Sequence, residues 1–583
     1  MYFSEFDSPE WQLFSQVSRP SRYAGSEWRP FSQVDWDSSS LKVCLAFPDV
    51  YEIGMSYYGF QIIEAFIHEK MSDCAVDRAY CVWPDMEGLM RQKDIPLMST
   101  EYKKAVKYFD VIAFTLPHEA SYTNILTMID LAGLRVKSSE RSDSDPLIIA
   151  GGYGAYVPEV MSEFIDVFCI GEAEALLPQL LPVLSAVRSR SERLTECAKL
   201  PGMYVPLRWK PGQVVERQIS QHPFTLKSMI VPGVGIVHDR AAVELFRGCS
   251  RGCRFCQAGM VNRPVREKPV SDAASSIMNI LHSTGWEEAG LLSLASCDYS
   301  GIEQLIDTIA PELHGRKLSL PSLRMDGFSV GLAERLEGLR SKHGSITFAP
   351  EAGTQRLRNV INKGINEEMI TTCLREIFSR GWERVKLYFM MGLPTERDED
   401  LNAIAELSCM TLKLARSLGR KRASVSVSVS GFVPKAHTPF QWERQNSMPE
   451  LLDKGRHIKS LVHDRAISAA YHEPQQTFLE GVLSRGDKRT CGVILRAWET
   501  GARFDNWTEY FDLTRWLDAF EHCGLDPEEF TRERGEGENL AWDFVSVGVR
   551  KDFLLRERHR AYKEELTPDC LSGCAACGLG CKK

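Results

Sequence analysis

From Leu41 onward the chain alternates two textures. Apolar runs at 41–47 (LKVCLAF), 110–116 (DVIAFTL), 146–150 (PLIIA) and 166–170 (DVFCI) predict strands buried on both faces. Between them, 58–71 and 122–134 repeat apolar residues at three- and four-residue spacing, which predicts helices. Such alternation builds a parallel sheet covered on both sides, a doubly wound α/β domain over residues 40–200. Ligands of these sheets sit beyond the carboxyl ends of the strands, here the loops 48–54, 115–121 and 151–154. Glycines in the last loop let the backbone approach a ligand closely.

A second series begins near Ala241. Strand-like runs at 243–246, 291–295, 318–323, 345–349, 384–391 and 423–431 are separated by helical patterns at 271–283, 303–313, 330–342, 366–380 and 399–418. Six strand–helix units predict a barrel or partial barrel over 238–440, with its chemistry at the strand C-terminal ends. Residues 1–39, rich in Ser, Pro and aromatics, read as a packed arm, and 201–237 as a linker. Residues 441–566 are helical and aromatic, with Trp498, Trp507, Trp516 and Trp542 as core anchors, and 567–583 form a Gly- and Cys-rich tail. No segment repeats another at a fixed period.

Composition narrows the class. The 583 residues are 44% hydrophobic and 25% charged, which excludes a disordered chain. A net charge of −8, from 70 basic and 78 acidic residues, provides no global basic field for nucleic acid or an anionic membrane. The basic stretches at 419–422 and 556–563 read as solvated helix faces. The N-terminus lacks the basic and apolar regions of a secretory signal, and the apolar run 176–187 is too short to span a bilayer. A cytoplasmic, non-membrane protein is expected. Its 17 cysteines are then free thiols, ten of them scattered and seven in two clusters.

The first cluster, VELFRGCSRGCRFCQAG, places Cys249, Cys253 and Cys256 at C-x3-C-x2-C on a Gly-containing loop. Three thiolates so spaced can bind three corners of a [4Fe–4S] cube and leave the fourth iron open to an exogenous ligand. Zinc would want a fourth Cys or His, and none follows within about 20 residues. The plain reading is three buried or zinc-linked cysteines.

With Phe255 directly before Cys256, this loop resembles the signature of radical S-adenosylmethionine (SAM) enzymes. SLASCDYSGIEQL, SLPSLRMDGFS, ITFAPEAGTQRLRNVINKGI, KLYFMMGLPTERDEDL and SGFVPKAHTPFQW resemble consecutive motifs of the cobalamin-binding-domain subgroup, within it an uncharacterised family with a C-terminal extension. The resemblance implies a partial (β/α)6 barrel and a [4Fe–4S] cluster whose open iron is chelated by SAM. Reductive cleavage then yields a 5′-deoxyadenosyl radical, with a flavodoxin- or ferredoxin-type electron donor. It implies SAM contacts from Phe255, Asp298 (with Ser296 on the same loop), Arg324, Glu351 and Gly392. By residue type alone, each equally suits a salt bridge, a packing position or a turn. Arg247, Arg251 and Arg254 flank the cysteines and suit either tuning of a cluster or solvation.

GGYGAYVPEVMSEFIDVFCIGEAEALLPQL resembles the cobalamin-binding domain of this subgroup, which points to Thr115, Gly151 and Gly152 as cobalamin contacts. Where cobalt-ligating relatives have D-x-H-x-x-G, this chain has Asp49-Val50-Tyr51-Glu52-Ile53-Gly54. Tyr51 removes the imidazole ligand, so the domain either binds cobalamin without one or only shapes the substrate entrance. His118 reads as a neighbour of cobalt or as a surface histidine. In the tail, Cys570, Cys574, Cys577 and Cys581 fall at C-x3-C-x2-C-x3-C, a pattern that suits a second [4Fe–4S] cluster or a four-thiolate zinc site.

The leading expectation is a radical SAM enzyme acting on an unactivated C–H position, with methyl transfer if cobalamin binds. The substrate is a small molecule, a peptide or RNA. Radical rearrangement without cobalamin and a non-catalytic Fe–S electron-transfer or sensor protein are the alternatives. Methylthiolation would need a second three-cysteine site, and Cys44, Cys74, Cys81, Cys169 and Cys197 lack that spacing.

Overall fold

The computed structural model describes residues 13–25, 27–31, 33–187, 189–320, 323–327, 330–336, 338–339 and 345–580. Its N-terminal sheet contains β1 (Leu41–Phe47), β2 (Cys74–Tyr80), β3 (Val111–Thr115), β4 (Leu147–Gly151), β5 (Val167–Cys169) and β6 (Met203–Tyr204). The strand order is β2-β1-β3-β4-β5-β6, parallel throughout except for the β5–β6 pair. The order reverses between β1 and β3, the crevice where doubly wound sheets bind ligands. Helices α1 (Tyr58–Lys70) and α3 (Ala173–Ala186) bury Phe60, Phe66, Leu176 and Leu180 on one face, and α2 (Tyr122–Leu131) covers the other.

Strand β2 is absent from the apolar pattern because Asp77 and Arg78 interrupt it. Both are fully buried and both have charged or polar partners. Arg78 pairs with Glu27 at 2.5 Å and Glu64 at 2.9 Å, and Asp77 accepts the backbone N–H groups of Arg78, Glu101 and Tyr102. A buried charge survives only with such partners.

After a short strand β7 (Val215–Glu216), the second series forms two parallel sheets. The first orders β12 (Lys317–Ser319), β11 (Glu288–Leu292) and β8 (Ala241–Glu244). The second orders β13 (Ile346–Glu351), β14 (Arg384–Met391), β15 (Ser424–Gly431) and β16 (Ile467–Tyr471). Between β8 and β11 lie β9 (Phe246–Arg247), α4 (Gln257–Val261), β10 (Arg266–Glu267) and α5 (Val270–Thr284). Helices α6 (Ile302–Ile309), α7 (Glu367–Ser379), α8 (Asp398–Ser417) and α9 (Met448–Ser460) cover the outside.

In the β15 sequence SVSVSVSG, Val425, Val427 and Val429 are buried against the helices, and the alternating serines on the opposite face stay half-buried or exposed. Strand β11 begins three residues before the expected run, because Glu288, Ala289 and Gly290 pair with Lys317, Leu318 and Ser319 of β12. A seventh parallel strand, β16, adds beside β15 within the C-terminal region.

That region packs mainly against the N-terminal sheet. Helices α10 (Thr490–Glu499) and α11 (Leu513–His522) place Val493, Ile494, Trp516 and Phe520 in one core with Ile125, Leu126 and Ile129 of α2. Asp505 joins the layers, accepting from Thr123 Oγ1 (2.8 Å) and Trp516 Nε1 (3.0 Å). Trp516 and Trp542 are fully buried, whereas Trp498 and Trp507 are half-buried at this seam. Strand β17 (Val545–Ser546) pairs in parallel with β7, and α12 (Lys551–Tyr562) leads into the tail. Among the described residues no helix is long and apolar enough to cross a membrane.

Candidate active site

The cysteine loop leaves β9 at Gly248, whose φ of +85° is a left-handed conformation that favours glycine. Cys249, Cys253 and Cys256 are half-buried. Cys256 caps α4, its Sγ accepting the Gly259 N–H at 3.2 Å. Burial pushes the Cys249 thiol up and the Cys256 thiol up to about 12, and in each case Cys253 adds to the shift. The three sulfurs therefore share one field. Burial opposes the charge of Arg324, but Cys253 and Asp326 more than offset it and raise its pKa. Among the described residues, no three Cys, His, Asp or Glu side chains converge on one ion. A cube binds each thiolate at a separate iron, so the donor set of three loop thiols fits it.

Around the loop, Arg251 binds Asp298 at 2.8 Å, Asp326 at 3.0 Å and Asp569 of the tail at 3.4 Å. Arg324 also pairs with Asp326 at 3.0 Å and donates to the Lys363 carbonyl at 2.9 Å. Glu351 ends β13 at φ +67°, beyond a register shift, and pairs with Lys363 Nζ at 3.0 Å. Phe255 packs at the edge of a small core with Ala352, Leu357 and Phe432. Gly392 has φ +82°, and a side chain there would meet Asn446 and Leu451 at 3.1–3.3 Å. Asp298, Arg324 and Glu351 thus lie in one ionic shell around the cysteine loop, while Gly392 faces Asn446.

Two cavities adjoin at the carboxyl edge of the N-terminal sheet and the start of the cysteine loop. One, of about 270 Å³, lies over the carboxyl edge of the N-terminal sheet and is lined by Thr115, Gly151 and Gly152 together with Leu45, Phe114 and Leu177. The other, of about 360 Å³, is lined by Tyr58, Tyr153, Tyr156, Glu244, Asn262 and Gly248, the residue before Cys249. Tyr57, Gly152, Gly171, Glu172 and Arg247 line both. Arg247 is held by Glu172 (3.3 Å), Glu174 (2.7 Å) and Glu244 (2.9 Å), which fixes the N-terminal domain against the start of the loop. Another concavity, of about 960 Å³, lies on the outside of α8 and α9, lined by neither the cysteines nor the sheet edge.

Tyr51 is buried and donates to Glu27 at 2.7 Å, and Asp49 accepts from Asn506 (2.7 Å) and Trp507 (3.2 Å). His118 lines neither cavity, and burial lowers its pKa. Cys570 and Cys574 are exposed and Cys577 is buried, while Cys581 lies outside the described residues. The tail rests on the first loop, with the Cys570 N–H donating to the Ser250 carbonyl at 2.9 Å. The sequence reading did not single out Lys363, Asp326, Glu172 or Glu174. The last two stand in the Gly-Glu-x-Glu segment, a signal already visible in the chain.

Comparison with known proteins agrees with this layout. Residues 59–206 match the N-terminal domain model of radical SAM proteins, and 243–408 match that of the radical SAM superfamily. An uncharacterised protein of Methanocaldococcus jannaschii is 28% identical over 407 residues, covering 68% of this chain and 82% of that one. The ribosomal protein uS12 methylthiotransferase RimO of Treponema denticola is 21% identical over 296 residues, 42% of this chain and 62% of the relative. The radical SAM methyltransferase TsrM of Kitasatospora setae, solved with cobalamin and a [4Fe–4S] cluster bound, superposes with a TM-score of 0.52 at 14% identity. That match covers 82% of this chain and 99% of TsrM, and it shows a shared fold. With the two family domains in chain order and the three-cysteine loop after the first barrel strand, the chain belongs to the radical SAM superfamily.

Proposed function

We propose that this enzyme cleaves SAM at a [4Fe–4S] cluster held by Cys249, Cys253 and Cys256 and transfers a methyl group, with cobalamin, to an unactivated carbon. The observation that carries the reading is the shared wall of the two cavities: Tyr57, Gly152, Gly171, Glu172 and Arg247 line both the space over the sheet edge at Thr115 and Gly151 and the space beside Gly248. A cobalamin methyltransferase needs its two cofactors to face a common substrate, and this is the arrangement the cavities offer.

Cys249, Cys253 and Cys256 would hold the cluster, and the chemistry it would supply there is one-electron reduction of SAM. The chain's own residues bind and orient. Arg324 suits the SAM carboxylate and Glu351 a ribose hydroxyl or the ammonium, with Lys363 holding Glu351 in place. Asp298 exchanges part of its Arg251 pairing to meet the ammonium, and Phe255 and Gly392 shape the wall. Glycines and apolar side chains wall the cavity over the sheet edge, and no histidine is among its lining residues, so Thr115, Gly151 and Gly152 would hold one edge of a cobalamin without an imidazole from this wall. Tyr153 and Tyr156 place aromatic surface at the meeting point, a setting for a planar or amphipathic substrate. The tail cysteines bind a second cluster or zinc, and a flavodoxin- or ferredoxin-type protein donates electrons.

Methylthiolation fits less well. Cys44 and Cys74 sit singly in β1 and β2, with Cys81 just after, and burial raises all three thiols. The test is metal analysis of protein purified without oxygen and supplied with iron, sulfide and hydroxocobalamin, followed by product analysis with SAM. Retained cobalt and a methyl group from SAM found on an acceptor support the proposal. Iron without cobalt, with 5′-deoxyadenosine and methionine as the only SAM products, would replace methyl transfer by radical rearrangement.

A further inference from the structure

Arg254 stands between Cys253 and Cys256, yet its side chain is fully buried and turned into the protein. Nε donates to Glu557 at 3.1 Å, Nη1 to the carbonyls of Asn359 (3.1 Å) and Val360 (2.9 Å), and Nη2 to the carbonyl of Glu565 (2.7 Å). Glu557, on α12, is buried as well and accepts from Thr567 Oγ1 at 2.8 Å. The Arg254 backbone N–H donates to Ile361 at 3.0 Å. Asn362 bridges the same elements, donating to the Gly252 carbonyl at 3.1 Å and accepting the Thr567 N–H at 2.9 Å. Finally, Cys570 binds the Ser250 carbonyl and Asp569 reaches Arg251.

Almost every polar group that fixes the loop on this side comes from residues 359–362 or 557–570. A glycine-containing loop with three thiols has little core of its own. A buried guanidinium deprived of its carboxylate is strongly penalised, so the pair at Arg254 governs the loop's shape.

We propose that Arg254 and Glu557 are positioning residues, through which the C-terminal segment sets the geometry of the three-cysteine loop. The extension is then part of the first metal centre, although some three hundred residues separate the two in sequence (|i−j| is 303 for the pair). The consequence for catalysis rests on the cluster reading above. The geometry itself does not.

The test uses the full chain with Glu557→Gln, Arg254→Lys and a control, Glu443→Gln. Glu443 anchors the same helix elsewhere, through Arg558 Nε and the Tyr562 hydroxyl, each at 2.7 Å, and touches nothing in the loop. In metal-free protein, alkylation of Cys249, Cys253 and Cys256 is timed by peptide mass spectrometry. Opening of the loop should speed labelling about tenfold in the first two variants and leave the control within about twofold of the parent. In reconstituted protein, the electron paramagnetic resonance (EPR) signal and midpoint potential should change in the first two variants alone. Loop labelling equal to the control's would overturn the proposal. A parent that takes up no iron would overturn the cluster reading instead, and the alkylation rates would still decide this one.

Discussion

Gly248→Ala isolates what the backbone at the start of the cysteine loop contributes. Gly248 adopts φ +85°, and an added Cβ would lie 2.4 Å from the Pro264 carbonyl oxygen and 2.7 Å from that of Asn262. Left-handed backbone costs an L-residue about 1–2 kcal/mol. Overpacking against backbone atoms that cannot swing aside adds about 1–3 kcal/mol. The combined penalty of roughly 2–5 kcal/mol raises the open population of the loop by a factor between about thirty and several thousand. Gly285→Ala separates the two contributions, because Gly285 has φ +74° with open space around its Cβ position and should lose only the conformational part. Amide hydrogen exchange reads the result directly. In Gly248→Ala, the amides of Cys256 and Asn262, hydrogen-bonded to Cys253 and Ala258, should exchange far faster than in the parent, and iron uptake should fall. A Gly248→Ala protein no more perturbed than Gly285→Ala would refute the reasoning.

Two further outcomes follow from other parts of the structure. His437 is buried, with Nε2 donating to the Tyr156 carbonyl at 3.0 Å, and burial lowers its pKa to about 4. The unfolded chain takes up this proton near pH 6.5 and the folded one only near pH 4, so stability declines as pH falls through that window. Between about pH 7 and pH 5 the loss from this residue is roughly 2 kcal/mol, read from denaturant midpoints. His437→Asn, which tolerates the residue's φ of +61°, should flatten the dependence, and an unchanged slope would remove His437 as its source. At Gly151 a Cβ would meet only Cys169, at 3.8 Å, so Gly151→Leu projects into the cavity over the sheet edge. Cobalt retention should drop about tenfold with iron content and melting unchanged, and full retention would place cobalamin elsewhere or nowhere.

Legibility in the sequence followed the range of the interactions. Strand β1 at Leu41–Phe47 and strand β14 at Arg384–Met391 match the expected runs residue for residue, because apolar residues dominate both and their charged positions, Lys42, Arg384 and Lys386, stay half-buried or exposed. Strand β2 escaped notice, since the partners that make Asp77 and Arg78 tolerable in a core come from Glu27, Glu64 and the loop at Tyr102. Strand β16, ISAAY, is short and rich in alanine, and only its pairing with β15 defines it. The spacing of Cys249, Cys253 and Cys256 singles out the loop in the sequence, whereas the ion pairs around it are not legible there. Lys363 and Asp326 sit in segments whose role appears only when Glu351 and Arg251 are brought beside them. The placement of α10 and α11 on the N-terminal sheet joins residues nearly four hundred positions apart (382 for Thr123 and Asp505), and no local pattern encodes that contact.

The central claim is that the three loop cysteines hold a [4Fe–4S] cluster with an iron left open for SAM. EPR spectroscopy of the anaerobically reconstituted, reduced protein, recorded with and without SAM, tests it most directly. The account expects a signal that changes when SAM is added and a SAM-responsive component that vanishes in Cys256→Ala. A spectrum indifferent to SAM, or one whose response survives in Cys256→Ala, would contradict it.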